Sequence, residues 1–136
     1  MVKVGINGFG RIGRLVLRAI LENYRDKIQV VAINDLGPIE VNAHLIKYDS
    51  THGIINEEVQ IAKDGFRIGN QEIKVFAEKD PVNIPWNKVS ADVVLECTGI
   101  FLDKPSTVKH IKSGAKKVII SAPGKEVDFT IVQGVN

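Results

Sequence analysis

Apolar positions change their period along this chain, and each change marks an element. Met1 to Ile6 is a short apolar run of strand type. From Ile12 the apolar residues Ile12, Leu15, Val16, Ala19 and Ile20 recur at helical spacing to about Tyr24. Gly8, Gly10 and Gly13 stand at the junction. Ile28 to Ile33, rich in valine and isoleucine, predicts a second strand, which Asn34 and Asp35 end because both favour loops. Strand, helix and strand make a β-α-β unit. After Gly37 and Pro38, the residues Val41, Leu45 and Ile46 predict a helix to about Lys47, followed by the polar segment Tyr48 to Gly53.

The period then shortens. Three alternating runs between Glu57 and Phe76 are separated by Asp64-Gly65 and Gly69-Asn70, dipeptides typical of hairpin turns. Pro81 and Pro85 interrupt the chain before Val93, Val94 and Leu95, a buried-strand signature that ends in Cys97, Thr98 and Gly99. Pro105 can open a helix to about Lys112, Gly114 can end it, and Val118 to Ile120 gives a further buried strand before Ser121, Ala122, Pro123 and Gly124. A last strand is expected at about Phe129 to Val132. Alternating strands and helices predict an α/β fold: a doubly wound, mostly parallel sheet with an antiparallel strand insertion at about residues 57–76. Ligands of such sheets collect beyond the carboxyl ends of the strands. There this chain places the loops Gly8 to Gly13, Asn34 to Gly37 and Cys97 to Phe101, with Ser121 to Gly124 a fourth.

Composition narrows the function. At 136 residues and 44% hydrophobic, one domain is expected. A net charge of +2 lacks the basic bias of a dedicated nucleic-acid binder. Lys109, Lys112, Lys116 and Lys117 read as a solvated helix end without interleaved aromatics, so no specific nucleic-acid partner is expected. No run approaches the roughly 20 apolar residues that span a bilayer, and no export signal precedes the first strand, so no membrane partner is expected. Cys97, the sole cysteine, can form no internal disulfide, which suits a reducing, cytoplasmic setting. No metal is expected, because His44 and His110 read as surface or packing residues with no second ligand at suitable spacing.

Gly8-Phe9-Gly10-Arg11-Ile12-Gly13 has the spacing G-x-G-x-x-G, follows a strand directly and opens a helix. Asp35 follows at about the 20 residues expected of a dinucleotide fingerprint. The first glycine permits the turn, the second lets backbone approach phosphate, and the third lets helix pack on strand. The helix amino end offers unpaired N–H groups and partial positive charge to a pyrophosphate. Asp35 can accept from both ribose hydroxyls and would repel a 2′-phosphate, so NAD is preferred over NADP. Arg11 could neutralise phosphate or simply be solvated.

The longer string Val4-Gly5-Ile6-Asn7-Gly8-Phe9-Gly10-Arg11-Ile12-Gly13-Arg14 closely resembles the start of the glyceraldehyde-3-phosphate dehydrogenase family. Ala32-Ile33-Asn34-Asp35, Lys47 to Gly53, Cys97-Thr98-Gly99, Lys117 to Pro123 and Gly134-Val135-Asn136 resemble it in the same order. The resemblance implies that residues 1–136 form a Rossmann-type NAD-binding domain. It also implies a parent homotetramer that oxidises and phosphorylates D-glyceraldehyde 3-phosphate to 1,3-bisphosphoglycerate while reducing NAD, in glycolysis. By resemblance Phe9, Gly10, Arg11 and Ile12 belong to the pyrophosphate turn, and Asp35 to the adenosine ribose. Lys79 and Thr98 would line the adenine side, Ser121 the nicotinamide ribose, and Gly99 and Phe101 the same cleft.

The family's nucleophilic cysteine, its histidine and its substrate-binding arginines belong to a catalytic half that follows the Gly-Val-Asn segment and is absent from this chain. Glyceraldehyde 3-phosphate and inorganic phosphate would be met only through that half. No catalytic residue is therefore assigned, and the chain alone is expected to lack turnover. Cys97 is rejected as a nucleophile because nothing places a histidine or cation beside it, and the family commonly has serine there. His52 lies in a stretch that is structural in the family, near subunit contacts. An erythrose-4-phosphate dehydrogenase half and a stand-alone nucleotide-binding interaction module remain the alternatives.

Overall fold

Burial on both faces of the sheet organises the first β-α-β unit of this computed structural model, which describes residues 1–135. Asn136, the end of the Gly134-Val135-Asn136 match, lies outside the described residues. Strand β1 (Val2–Asn7) turns Val4 and Ile6 into one core, and helix α1 (Arg11–Asn23) lays Leu17, Ile20 and Leu21 over them. Strand β2 (Ile28–Asn34) returns parallel to β1, and α2 (Ile39–Lys47) adds Ile46 to the same core. Elements and boundaries follow the apolar periods closely.

The polar segment after α2 has a structure that its composition does not announce. Tyr48–Asp49 (β3) pairs antiparallel with Gly53–Ile54 (β4), and Asp49 accepts the N–H groups of Thr51 and His52 across the turn. Arg18 explains the shape. It lies buried on the core side of α1, and its guanidinium donates to the carbonyls of Ile46, Lys47 and Gly53 at 2.8, 3.0 and 2.9 Å. One cation thus satisfies the open carbonyl end of α2 and clamps the small ladder to α1.

The alternating runs form β5 (Val59–Ala62), β6 (Gly65–Ile68) and β7 (Gln71–Phe76), joined as antiparallel neighbours. They are not a separate sheet. Strand β7 runs parallel to β2, with Ile33 opposite Val75, so the insertion extends the main sheet. With β8 (Val93–Glu96) and β9 (Lys117–Ile120) the seven-stranded order is β5-β6-β7-β2-β1-β8-β9. Helix α3 (Lys104–Lys112) connects β8 to β9, and Asp103 caps it by accepting from Ser106 N–H at 2.8 Å. The parallel strands run β7-β2-β1-β8-β9, the doubly wound arrangement.

The proline-broken stretch forms two short 3-10 turns, Pro81–Asn83 and Trp86–Val89, which deliver Trp86 to the second face of the sheet. Trp86 is fully buried with Ala32, Ile84, Ala91, Val94 and Ala115. Its ring lies directly over Gly5, where a Cβ would sit 2.4 Å from a ring carbon. Apolar clusters therefore cover both faces, one under α1 and α2, the other under Trp86.

One expected strand does not form. Phe129 to Val132 has no strand geometry, and Phe129 and Ile131 are exposed. Lys125 explains this: it forms a bridge to Asp103, with Lys125 N–H on Leu102 O at 2.8 Å, and draws the chain towards the start of α3 after β9.

Two predictions follow from the clamp around β3 and β4. Arg18→Met keeps the bulk but takes a donor from three carbonyls, of which Lys47 O keeps Ile55 N–H, and should lower unfolding stability in urea by about 2–3 kcal/mol. No loss would show the clamp to be idle. Asp49 is held at about 2, below the ordinary 3.8, first by His52 N–H, against the opposing effect of burial, with Thr51 N–H and Arg11 adding. Because the folded value is the lower one, this stabilisation is complete above the ordinary value and is lost as pH falls through about 2. Thr51 and His52 amide shifts should titrate with a midpoint near 2, whereas a midpoint at 3.8 would mean the bonds are absent in solution.

Candidate functional site

Two of the three glycines are demanded by the protein's own packing, and the middle one is not. Gly8 has φ +91°, and a Cβ there would lie 2.8 Å from Thr98 Cγ2, so the end of β1 turns hard against the loop after β8. A Cβ on Gly13 would sit 2.3 Å from the Gly8 carbonyl oxygen, which presses the first turn of α1 onto the strand end. Around Gly10 no heavy atom lies within 4 Å of a built Cβ. The room at Gly10 faces outward, where a ligand can approach backbone.

The amino end of α1 is kept bare. Gly10 is the N-cap residue with no side-chain cap bond, no acid stands in the first turn, and the first helical bond is Arg14 N–H to Gly10 O at 3.0 Å. Earlier N–H groups have no helical partner, and the dipole is uncompensated at this end. Helices not built for anions usually start with Ser, Thr, Asp or Asn. This start gives up capping stability and leaves unpaired N–H groups at the switch point between β1 and β8, an arrangement that can receive an anion.

Asp35 sits beside that helix start, at the carboxyl end of β2. Its Oδ1 accepts Phe9 N–H at 3.0 Å, and its Oδ2 accepts Gly37 N–H at 3.0 Å and Asn42 Nδ2–H at 3.2 Å. A carboxylate has about four acceptor positions. One hydroxyl can therefore be received on Oδ1 as the site stands; a second needs Phe9 N–H to turn to the ligand.

The other expected residues divide by what remains free to act. The Phe9 ring is core, tilted on Phe66 at 6.1 Å between centroids, so only its backbone reaches the turn. Arg11 is ion-paired with Asp49, and Arg14 donates to Phe9 O at 2.9 Å. Ile12 is exposed in the first turn of α1. Thr98, Gly99 and Ser121 lie at the same sheet edge: Cys97 N–H bonds to Asn7 O and Ser121 N–H to Glu96 O. Gly99, with φ +75°, and Ser121 are exposed. Phe101 is half-buried beyond Gly99, and Lys79 is exposed beside Glu78. Leu36 and Ile100, exposed apolar residues just after Asp35 and Gly99, escaped the sequence reading. Gly10, Gly99, Ile100 and Ser121 are exposed, so this edge presents a shelf to solvent, and hollows of about 390 and 330 Å³ lie away from it, beside the end of α3 and on the β5–β7 hairpin.

Beneath the shelf runs a buried polar network that the sequence does not announce. Glu96, 1% exposed, receives Asn7 Nδ2–H at 2.7 Å and His110 Nε2–H at 2.8 Å on Oε1, and Thr98 N–H at 3.0 Å and Thr98 Oγ1–H at 2.6 Å on Oε2. Trp86 Nε1–H donates to His110 Nδ1 at 3.0 Å, which fixes the proton of the ring on Nε2. Asn34 donates to Asn7 Oδ1 at 2.9 Å and grips both backbone groups of Glu78. Burial pushes the Glu96 carboxyl up, and the bonds from His110, Thr98 and Asn7 outweigh it and hold it below the usual range. His110 was expected to be a surface or packing residue; it is packed, with no exposure, and both ring nitrogens are used.

Cys97 is part of the core lining. Burial pushes its thiol up against a partly offsetting bond from Ser121, and Glu96 adds to the rise, which disfavours the thiolate. Among the described residues no cluster of three His, Cys, Asp or Glu could hold a metal ion, and no helix is long and apolar enough to cross a membrane.

Residues 2–104 match the family described as glyceraldehyde 3-phosphate dehydrogenase, NAD binding domain. The chain is similar to glyceraldehyde-3-phosphate dehydrogenase of Xanthobacter flavus, at 53% identity over 99% of this chain and 40% of that protein. It is equally similar to the plasmid-encoded enzyme of Cupriavidus necator, at 53% over 99% of this chain and 41% of that one. The enzyme of Geobacillus stearothermophilus is 53% identical over 99% of this chain and 40% of its own length. The chain thus spans about 40% of the length of these relatives. The chain belongs to the glyceraldehyde-3-phosphate dehydrogenase family, as its NAD-binding domain.

Proposed function

We propose that NAD lies along the open shelf with its pyrophosphate on the bare amino end of α1, over Gly10, Arg11 and Ile12. The observation that carries this is the uncapped helix start, with Gly10 free of neighbours and no acid in the first turn. Asp35 takes the adenosine ribose. Lys79 and Thr98 line the adenine side, where exposed Leu36 and Ile100 give it apolar contact. Ser121 faces the nicotinamide ribose, with Gly99 and Phe101 bordering the cleft. Bound NAD supplies a hydride acceptor; the chain's own residues bind and orient it.

We further propose that this domain, residues 1–136, serves a homotetrameric cytoplasmic enzyme that oxidises and phosphorylates D-glyceraldehyde 3-phosphate. The relatives named above carry that activity in their names, which favours this substrate over erythrose 4-phosphate and over a stand-alone interaction module. Glyceraldehyde 3-phosphate and inorganic phosphate would be met through a catalytic half outside this chain. The chain's one thiol lies in the core lining, where burial disfavours the thiolate that such chemistry needs.

Calorimetric titration should show NAD binding more tightly than NADP, with the 2′-phosphate repelled by Asp35. Asp35→Ala should weaken NAD about tenfold, the worth of a hydrogen bond to a charged group, and narrow the gap between the two. Equal affinities in the unaltered chain would defeat the assignment of Asp35. In a separate assay, the chain given NAD, glyceraldehyde 3-phosphate and phosphate should produce NADH only at the background rate. Turnover abolished by Cys97→Ser would restore Cys97 as nucleophile.

A further inference from the structure

We propose that Glu96 is the positioning residue of the cofactor shelf, a buried carboxylate that sets the place of the Thr98–Gly99 loop and, through Asn7 and Asn34, of the Glu78–Lys79 loop. The inference rests on the NAD reading above and goes beyond it, because Glu96 is 1% exposed and cannot touch a ligand itself.

The hydrogen bonds around Glu96 have a direction that cannot be reversed. On one side Trp86 Nε1–H can only donate; His110 Nδ1 accepts it, so His110 Nε2 must carry a proton and donate to Glu96. On another side Glu78 presents a backbone N–H to Asn34 Oδ1 and a carbonyl to Asn34 Nδ2, which fixes that amide. Asn34 Nδ2–H then donates to Asn7 Oδ1, and Asn7 is left to donate to Glu96. From the shelf itself come Thr98 N–H, another obligate donor, and Thr98 Oγ1–H. Thr98 Oγ1 in turn accepts Ile100 N–H at 3.1 Å, so the carboxylate reaches two residues into the loop. Donors converge from three directions, and only a group with acceptors on both ends fits among them.

Glutamine has the shape of Glu96 but presents N–H₂ on one end. Turned one way, it sets N–H₂ against Thr98 N–H; turned the other, against the locked His110 and Asn7. In either orientation a strut of the shelf is lost while the apolar cores stay as they are.

NAD titration of the unaltered chain, Glu96→Gln, Thr98→Val and the double variant tests this, with amide spectra of each. Glu96→Gln should weaken NAD about tenfold, as one unsatisfied buried donor would. Thr98→Val should add little in the Glu96→Gln background, since both cut the same strut. Amide shifts should concentrate at Glu78–Lys79 and Thr98–Ile100 and spare α2. If the unaltered chain binds NAD and Glu96→Gln binds it equally well, the positioning role is overturned and the cofactor reading stands. Additive losses with shifts spread through the sheet would overturn it too, as general loosening. Failure of the unaltered chain to bind NAD would remove both readings. Should Glu96→Gln not fold, Asn7→Ser decides, since it removes the amide that joins Glu96 to Asn34: it should bind NAD several-fold more weakly with amide shifts at Glu78–Lys79, and equal binding overturns the proposal.

Discussion

A single buried carboxylate organises the functional edge of this domain. Glu96 ends β8, yet its four hydrogen bonds tie β1 through Asn7, α3 through His110 and the following loop through Thr98. Taking a carboxylate out of water costs several kcal/mol even after relaxation, and an isolated one would protonate instead. Here each oxygen receives two donors, so the cost is offset where it arises and the group stays ionised. Neither apolar cluster could do this. Packing fills volume and tolerates sliding, whereas the converging donors allow only one arrangement of the strand ends.

Stability and function are divided between the two ends of the same elements. The amino end of α1 lacks a cap and carries Arg11 in its first turn, against the dipole. Compensation comes further along the helix: Leu17, Ile20 and Leu21 bury one face, and Arg18 satisfies the carbonyl end of α2. The first turn is therefore free to be poor as a helix start and good as an anion seat.

Legibility in the sequence follows the same division. The main strands and helices were readable because they bury periodic apolar sets, the hairpin from its turn dipeptides, and Gly8 and Gly13 because close packing restricts residue type there. Phe129 to Val132 misled, since apolar alternation says nothing about whether a partner strand is in reach; the bridge from Lys125 to Asp103 decided that. Glu96, His110 and Asn34 lay beyond reach for a related reason. Each is an ordinary polar residue in its own segment, and its role exists only once positions as far apart as Asn7 and Glu96 are neighbours. One local clue was available: a glutamate at the end of a run of buried aliphatic residues, where a charge must be paired.

The arginines of α1 sharpen how the shelf can recognise a pyrophosphate. Arg11, Arg14 and Arg18 would suggest a cationic cradle on composition alone. In the fold Arg11 is committed to Asp49, Arg14 to Phe9 O and Arg18 to three carbonyls. Their work is to shape the segment beside the seat. On the proposed placement of NAD, phosphate recognition falls to backbone N–H groups and the dipole of α1, fixed donors that need no side-chain ordering when the ligand arrives. The same placement gives a reason for a middle glycine that nothing in the protein crowds. A side chain at Gly10 would meet no protein atom, and would stand where backbone alone has to meet the phosphates.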